Sequence, residues 1–159
     1  MARRPKTYRS QPPRSRRVAE PTVSTTMRLR RSVRQGLESL AERSRRSVSD
    51  LAEELIAEGM RMRECPGIYF ATEPSGRTAK VAGSGLAVWE VLRDFVEDED
   101  AGGLREAFHW LSPAQLTAAT MYFRRYPDEV RGQVEANRAL TPEAVERLWP
   151  GLVRIVPAG

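Results

Sequence analysis

Between residues 24 and 30 the chain reads Ser-Thr-Thr-Met-Arg-Leu-Arg, with polar and apolar side chains alternating from Thr26 onward. At strand spacing, side chains two apart share a face. Met27 and Leu29 therefore fall on one side, and Ser24, Thr26, Arg28 and Arg30 on the other. If the apolar pair packs inward, hydroxyl and guanidinium groups project outward as a row. Arginine presents a planar fork of donors and threonine a hydroxyl beside a methyl, so the row can hydrogen-bond a flat polar surface. Arg30 and Arg31, where the alternation ends, are assigned to phosphate contact.

A second feature with chemical potential starts at Ser47. Ser47-Val48-Ser49-Asp50 resembles a capping box in which Asp50 replaces the usual Glu or Gln. The first-turn amides of Val48 and Ser49 have no partner within a helix, and such a terminus favours a phosphate. These two features are positioned by helical patterns. One helix is expected from about Ser32, a possible cap, to Ser44, with Val33, Leu37, Leu40 and Ala41 as its stripe and Gly36 marking close packing. The next runs from Ser47 to about Arg63, with Leu51, Ala52, Leu55, Ile56 and Met60 on one side. One strand and two helices bury too little to stand alone. The pattern is explained if two copies share a core of Met27, Leu29, Val33, Leu37, Leu40, Leu51, Leu55 and Ile56.

Charge narrows the partner. Residues 1–46 hold fourteen Arg or Lys against three Glu, whereas residues 47–159 hold twelve basic and eighteen acidic residues. One end suits a polyanion and the rest does not. A two-stranded ribbon from two copies fits the DNA major groove, where an arginine–guanine pair discriminates by about 1–3 kcal/mol. Residues 1–21, with seven basic residues and four prolines, read as a disordered basic arm that tracks phosphates without sequence choice. No apolar run is long enough for a membrane span and no signal-peptide pattern follows the first arginines, so a cytoplasmic protein is expected. Cys65 and His109 are single. They exclude a disulfide framework within one chain and leave a Cys/His zinc site short of ligands. Cys65 reads as a boundary residue, with an inter-chain disulfide as the alternative.

The remaining chain reads as a less regular unit. Ile68-Tyr69-Phe70, the turn Glu73-Pro74-Ser75-Gly76 and Ala79–Ala82 form a hairpin candidate. After Gly83-Ser84-Gly85 comes a helix carrying Val88, Trp89, Val91, Leu92 and Phe95. Then come a loop at Ala101-Gly102-Gly103 and a helix with Leu104, Ala107, Phe108 and Leu111. Ser112-Pro113-Ala114-Gln115 offers cap, first-turn proline and reciprocal glutamine, starting a helix to about Arg125 with Leu116, Ala119, Tyr122 and Phe123 as core. Further helices start near Asp128 and at Thr141-Pro142. Trp89 and Trp110 are expected in the core. Trp149 ends the last helix beside the β-prone Leu152-Val153-Arg154-Ile155-Val156, which either anchors a partner or folds back. His109 has no paired nucleophile, and the Gly83–Gly85 turn lacks the lysine of a phosphate loop, so neither enzyme chemistry nor a cofactor is expected.

Thr26-Met27-Arg28-Leu29, Leu37–Glu42 and Arg46–Leu51 together make residues 23–63 resemble the ribbon-helix-helix family of dimeric bacterial DNA-binding proteins. The resemblance implies that Ser24, Thr26 and Arg28 read bases and that Ser47 with its following amides clamps a phosphate. Two positions depart from the family pattern: Arg30 stands where proline is frequent, and Arg45 where glycine is frequent between the helices. An arginine there must avoid or tolerate a positive φ. Residues 67–137 are similar to a small helical, helix-turn-helix-like antitoxin domain found opposite PIN-like ribonuclease toxins. Lys80–Val91, Leu104–Phe108, Leu111–Leu116 and Ala118–Phe123 carry that likeness.

The expected architecture is mainly α: a basic arm (1–21), a ribbon-helix-helix unit (22–64), a helical unit with a short hairpin (67–138), and a last helix and tail (139–159). The function these resemblances imply is a type II antitoxin. It binds operator DNA as a homodimer and neutralises a PIN-like toxin through its C-terminal part, with Arg138, Trp149, Leu152, Arg154 and Ile155 as candidate contacts. The alternative is a repressor or plasmid or nucleoid maintenance protein with no toxin.

Overall fold

In the computed structural model, which describes residues 23–73 and 76–148 with Pro21 and Pro150, the first helix begins where the alternation ends. Helix α1 spans Arg31–Ser44 and α2 spans Val48–Glu64. Arg30, not Ser32, precedes the first turn and makes no side-chain cap bond. Its carbonyl accepts from the Arg34 N–H at 3.1 Å, placing Ser32 inside the helix. Between the helices, Arg45 adopts φ 53° and ψ 42°. Its N–H and that of Arg46 close on the carbonyls of Glu42 and Ala41, at 3.2 and 3.0 Å. The usual glycine turn is therefore made by an arginine that tolerates the left-handed conformation, at a cost of order 1 kcal/mol. Gly36 marks no close packing, because a Cβ there would meet nothing within 4 Å.

A two-stranded antiparallel hairpin follows, β1 (Ile68–Glu73) and β2 (Gly76–Val81), in register from Ile68 opposite Val81 to Glu73 opposite Gly76. Gly67 leads into it with φ +92°, and a Cβ there would lie 2.9 Å from that of Ala118. Only glycine fits this approach of the hairpin to the later helices. The expected helix over Val88–Phe95 is instead two single turns, α3 (Val88–Val91) and α4 (Phe95–Asp98). Carbonyls around the break are taken by arginines from a later helix: Arg138 donates to Arg93 O at 3.2 Å and Arg131 to Val96 O at 2.8 Å.

Helix α5 spans Ala101–Ala107, so the expected loop at residues 101–103 is a helix start. Asp100 caps it, its carboxylate accepting from the Gly102 N–H at 2.9 Å. A Cβ on Gly103 would lie 2.7 Å from that carboxylate, so this glycine gives the cap room. Helix α6 (Pro113–Arg125) has the full capping box: Ser112 Oγ accepts from the Gln115 N–H at 3.3 Å, and Gln115 Oε1 from the Ser112 N–H at 2.9 Å. Helices α7 (Pro127–Arg138) and α8 (Pro142–Leu148) complete the described residues.

One hydrophobic cluster joins Cys65 and the hairpin to α3, α4, α6 and α7, with Leu104 of α5 at its edge, centred on the fully buried Val81, Val88, Leu92, Tyr122 and Val130. Trp89 packs against its edge. Trp110 does not join it: the residue is 63% exposed, its ring tilted against Phe108 and edge-on to His109. Cys65 is buried, which removes the sulfur from reach of a second chain. Burial also pushes its thiol up, toward the protonated and unreactive form.

Candidate nucleic-acid interface and the helix that joins it to the core

Residues 23–30 are neither helical nor paired in a ladder within this chain, and all eight are exposed. Met27 and Leu29, read as half of a core face, are 52% and 43% exposed. The same holds across the helices. Val33, Leu40, Leu55 and Ile56 are all exposed, Leu37 is half-buried, and only Ala41 and Leu51 are buried in the α1–α2 pair. Full burial of a large aliphatic side chain is worth about 1.5–3 kcal/mol. Within one chain much of that gain is not realised by the residues whose spacing made them core.

The start of α2 has the expected cap. Ser47 is extended, and its Oγ accepts from the Asp50 N–H at 3.0 Å. The amides of Val48 and Ser49 open the helix with no intrahelical acceptor available to them. With its oxygen engaged as acceptor, the Ser47 hydroxyl still holds a hydrogen to donate. Asp50, within the first turn, offsets part of the positive end of the helix.

Among the described residues Arg28, Arg30, Arg31, Arg43 and Arg45 form no ion pair, whereas Arg34 pairs with Glu38 and Arg46 with Glu54, at 2.8 and 2.7 Å. Uncompensated cations thus flank both the extended segment and the start of α2. Arg43 was not singled out from the sequence and Arg45 only as a departure at the turn; their spacing just before a capped helix was the available signal. No hydrogen bond or ion pair among the described residues joins Ser24, Thr26 or Arg28 to the start of α2.

The other end of α2 is fastened to the second unit. Arg61 donates to Glu129 at 2.6 Å and to the Tyr122 hydroxyl at 3.2 Å, with its guanidinium 4.6 Å from the Tyr126 ring centre. Burial opposes the charge on Arg61, but Glu129 and Tyr122 outweigh it and hold the guanidinium firmly protonated. Burial also drives the Tyr122 hydroxyl well above its ordinary range. Beside it, Glu64 accepts from Tyr126 at 2.7 Å and Arg125 at 3.2 Å, which pulls its carboxylate below the usual range. Glu58 takes both ends of the Arg77 fork, at 2.8 and 2.5 Å. None of these partners was foreseen, because the pairs lie 19 to 68 residues apart.

No family model matches the chain, and no curated protein or solved structure matches it either. The partner-contact candidates fare differently. Arg138 is engaged with Glu97 and the Arg93 carbonyl, so it braces the α4 region. Trp149, Leu152, Arg154 and Ile155, like the arm at residues 1–20, lie outside the described residues. No helix among the described residues is long and apolar enough to cross a membrane.

Proposed function

We propose that this chain is a DNA-binding regulator working as an intertwined dimer, with its second half serving as the partner-binding part of an antitoxin. One observation carries the dimer: most side chains spaced for a shared core, Met27, Leu29, Val33, Leu40, Leu55 and Ile56, are left exposed, the last four on well-formed helices. A second copy laying its own 24–30 segment alongside would form a two-stranded ribbon and cover those side chains together. Ser24, Thr26 and Arg28 would then face a major groove, and the amides of Val48 and Ser49 would meet phosphates beside unpaired Arg30, Arg31, Arg43 and Arg45.

Selection of binding sites from a random double-stranded DNA pool tests this reading. The recovered motif is expected to be two-fold symmetric, and Arg28→Ala should relax the preference at one position of each half-site while leaving the rest. An asymmetric motif, or one unchanged by Arg28→Ala, contradicts the assignment.

The toxin rests on the family resemblance, through which the partner would be a PIN-like ribonuclease. The reading without a toxin gains from Arg138, a candidate toxin contact, being held by Glu97. Mass spectrometry of a native pull-down separates the two: a co-purifying small nuclease supports the antitoxin, and its absence the stand-alone repressor.

A further inference from the structure

Between α2 and α7 runs an open groove of about 700 Å³. Phe70 and Trp89, both half-buried, form its apolar floor. On the α7 wall Gln133 and Asn137, one turn apart, are half-buried, while Asp128 and Gly132 are exposed at the lip. Among the described residues, neither side-chain amide nor the Trp89 indole N–H makes a hydrogen bond. Polar groups converging on an apolar floor are what a recognition groove presents. The lining also carries four carboxylates against two arginines. Glu54, Glu58 and Glu129 pair with Arg46, Arg77 and Arg61, whereas Asp128 has no ion pair among the described residues. This balance repels a polyanion and attracts a cation.

We propose that the groove docks an extended segment of a protein partner, apolar at alternate residues with one lysine or arginine between them. Spacing supports an extended chain. Gln133 and Asn137 lie about 6 Å apart along the helix axis. An extended chain turns an N–H and a C=O to the same edge at every second residue, about 6.6–6.8 Å apart. Each amide can therefore meet one such residue, donating to its carbonyl and accepting from its N–H. Alternate side chains then turn down onto Phe70 and Trp89. Those between turn up toward the lip, where a basic one meets Asp128. A helical segment fits less well, because its backbone groups bond internally and leave both amides unmet. The inference rests on the second half being the partner-binding part. The native pull-down tests that reading and the selection below tests the groove, so the two fail separately.

The test is selection of random heptapeptides, displayed on phage, by the full chain. The recovered sequences should be apolar at alternate positions with a lysine or arginine between. Gly132→Leu narrows the groove without displacing a neighbour, since a Cβ there meets nothing within 4 Å, and leucine suits the interior of α7 better than glycine. It should weaken binding of the best peptide, made synthetically, by roughly tenfold or more in fluorescence anisotropy. Methylating the peptide's backbone nitrogens one at a time should weaken binding at every second residue. Asp128→Lys should weaken it about threefold, and a peptide with glutamate in place of the basic residue should recover the loss. Selection of no common pattern overturns the proposal, as does a pattern at helical spacing, which makes a helix the occupant. Peptide binding unchanged by Gly132→Leu also overturns it. So does binding lost as protein concentration rises, which makes a second copy the occupant.

Discussion

The α1–α2 pair and the unit built on the hairpin, α3, α4, α6 and α7 both carry apolar residues at helical or strand spacing but bury them differently. In the second unit Val81, Val88, Leu92, Tyr122 and Val130 are sealed within one chain. In the first, Leu55 and Ile56 lie on a regular, well-capped helix and still face outward. Helical periodicity fixes which side of a helix is apolar, but it does not say whether the covering surface comes from the same chain. Burial shows which apolar faces one chain covers and which it leaves exposed, and the two kinds of face meet along a single helix, α2. Leu55 and Ile56 near its middle, with Met60 and Met62 beyond them, are exposed, while Arg61 and Glu64 near its C-terminal end tie it to the second core.

The largest expected effect breaks the comparison at its weaker side. Leu55→Asp together with Ile56→Asp changes two exposed positions of one chain, where surface substitutions stay within about 0.5 kcal/mol. If a second copy covers them, association and DNA binding should be lost, by sedimentation and by gel shift. Retention of both would mean the face is an ordinary surface. Leu92→Ala, on the sealed side, should cost about 2–5 kcal/mol by cavity formation, independent of protein concentration in thermal melts. A concentration-dependent loss would blur the division between the two regions. Arg61→Ala removes charged hydrogen bonds worth about 1.5–3 kcal/mol each at most, and it should let the two regions melt separately in calorimetry. A single transition would show that the apolar contacts of α2 suffice to couple them.

The smallest effect concerns pH. Glu64 is held below its ordinary carboxylate range in the folded chain by Tyr126 and Arg125. Its contribution is therefore complete above that ordinary range and is lost as pH falls through the folded value. The gap between acid melts of the wild type and Glu64→Gln should be constant above pH 4.5, the ordinary value, and close progressively as pH falls from there through the lower folded value. A constant gap across that window would remove Glu64 from the linkage.

Much of the local structure was legible because it rests on short-range chemistry. The Ser112 capping box, the Ser47 cap and the hairpin after Gly67 each announce themselves within a few residues. Other features did not. Gly102 and Gly103 look like a loop, yet they clear space for the Asp100 carboxylate at a helix start. The α3–α4 break depends on Arg131 and Arg138 from far along the chain to take up carbonyls there. Trp110 follows core spacing but lies on the exposed corner after α5, beyond the reach of the core. The Arg61 lock escaped for a related reason: an arginine near a helix end normally reads as solvated. In the candidate interface, the cap and basic residues were readable, whereas the strand expected over residues 24–30 finds no partner strand within this chain.

Amide hydrogen exchange measured as a function of protein concentration tests the central claim most directly. On dilution, protection in α1 and the first half of α2 should collapse together, while β1, β2, α6 and α7 keep theirs. Protection that stays constant in both regions at every concentration would show that residues 23–63 hold their structure without a second copy, and would contradict the account.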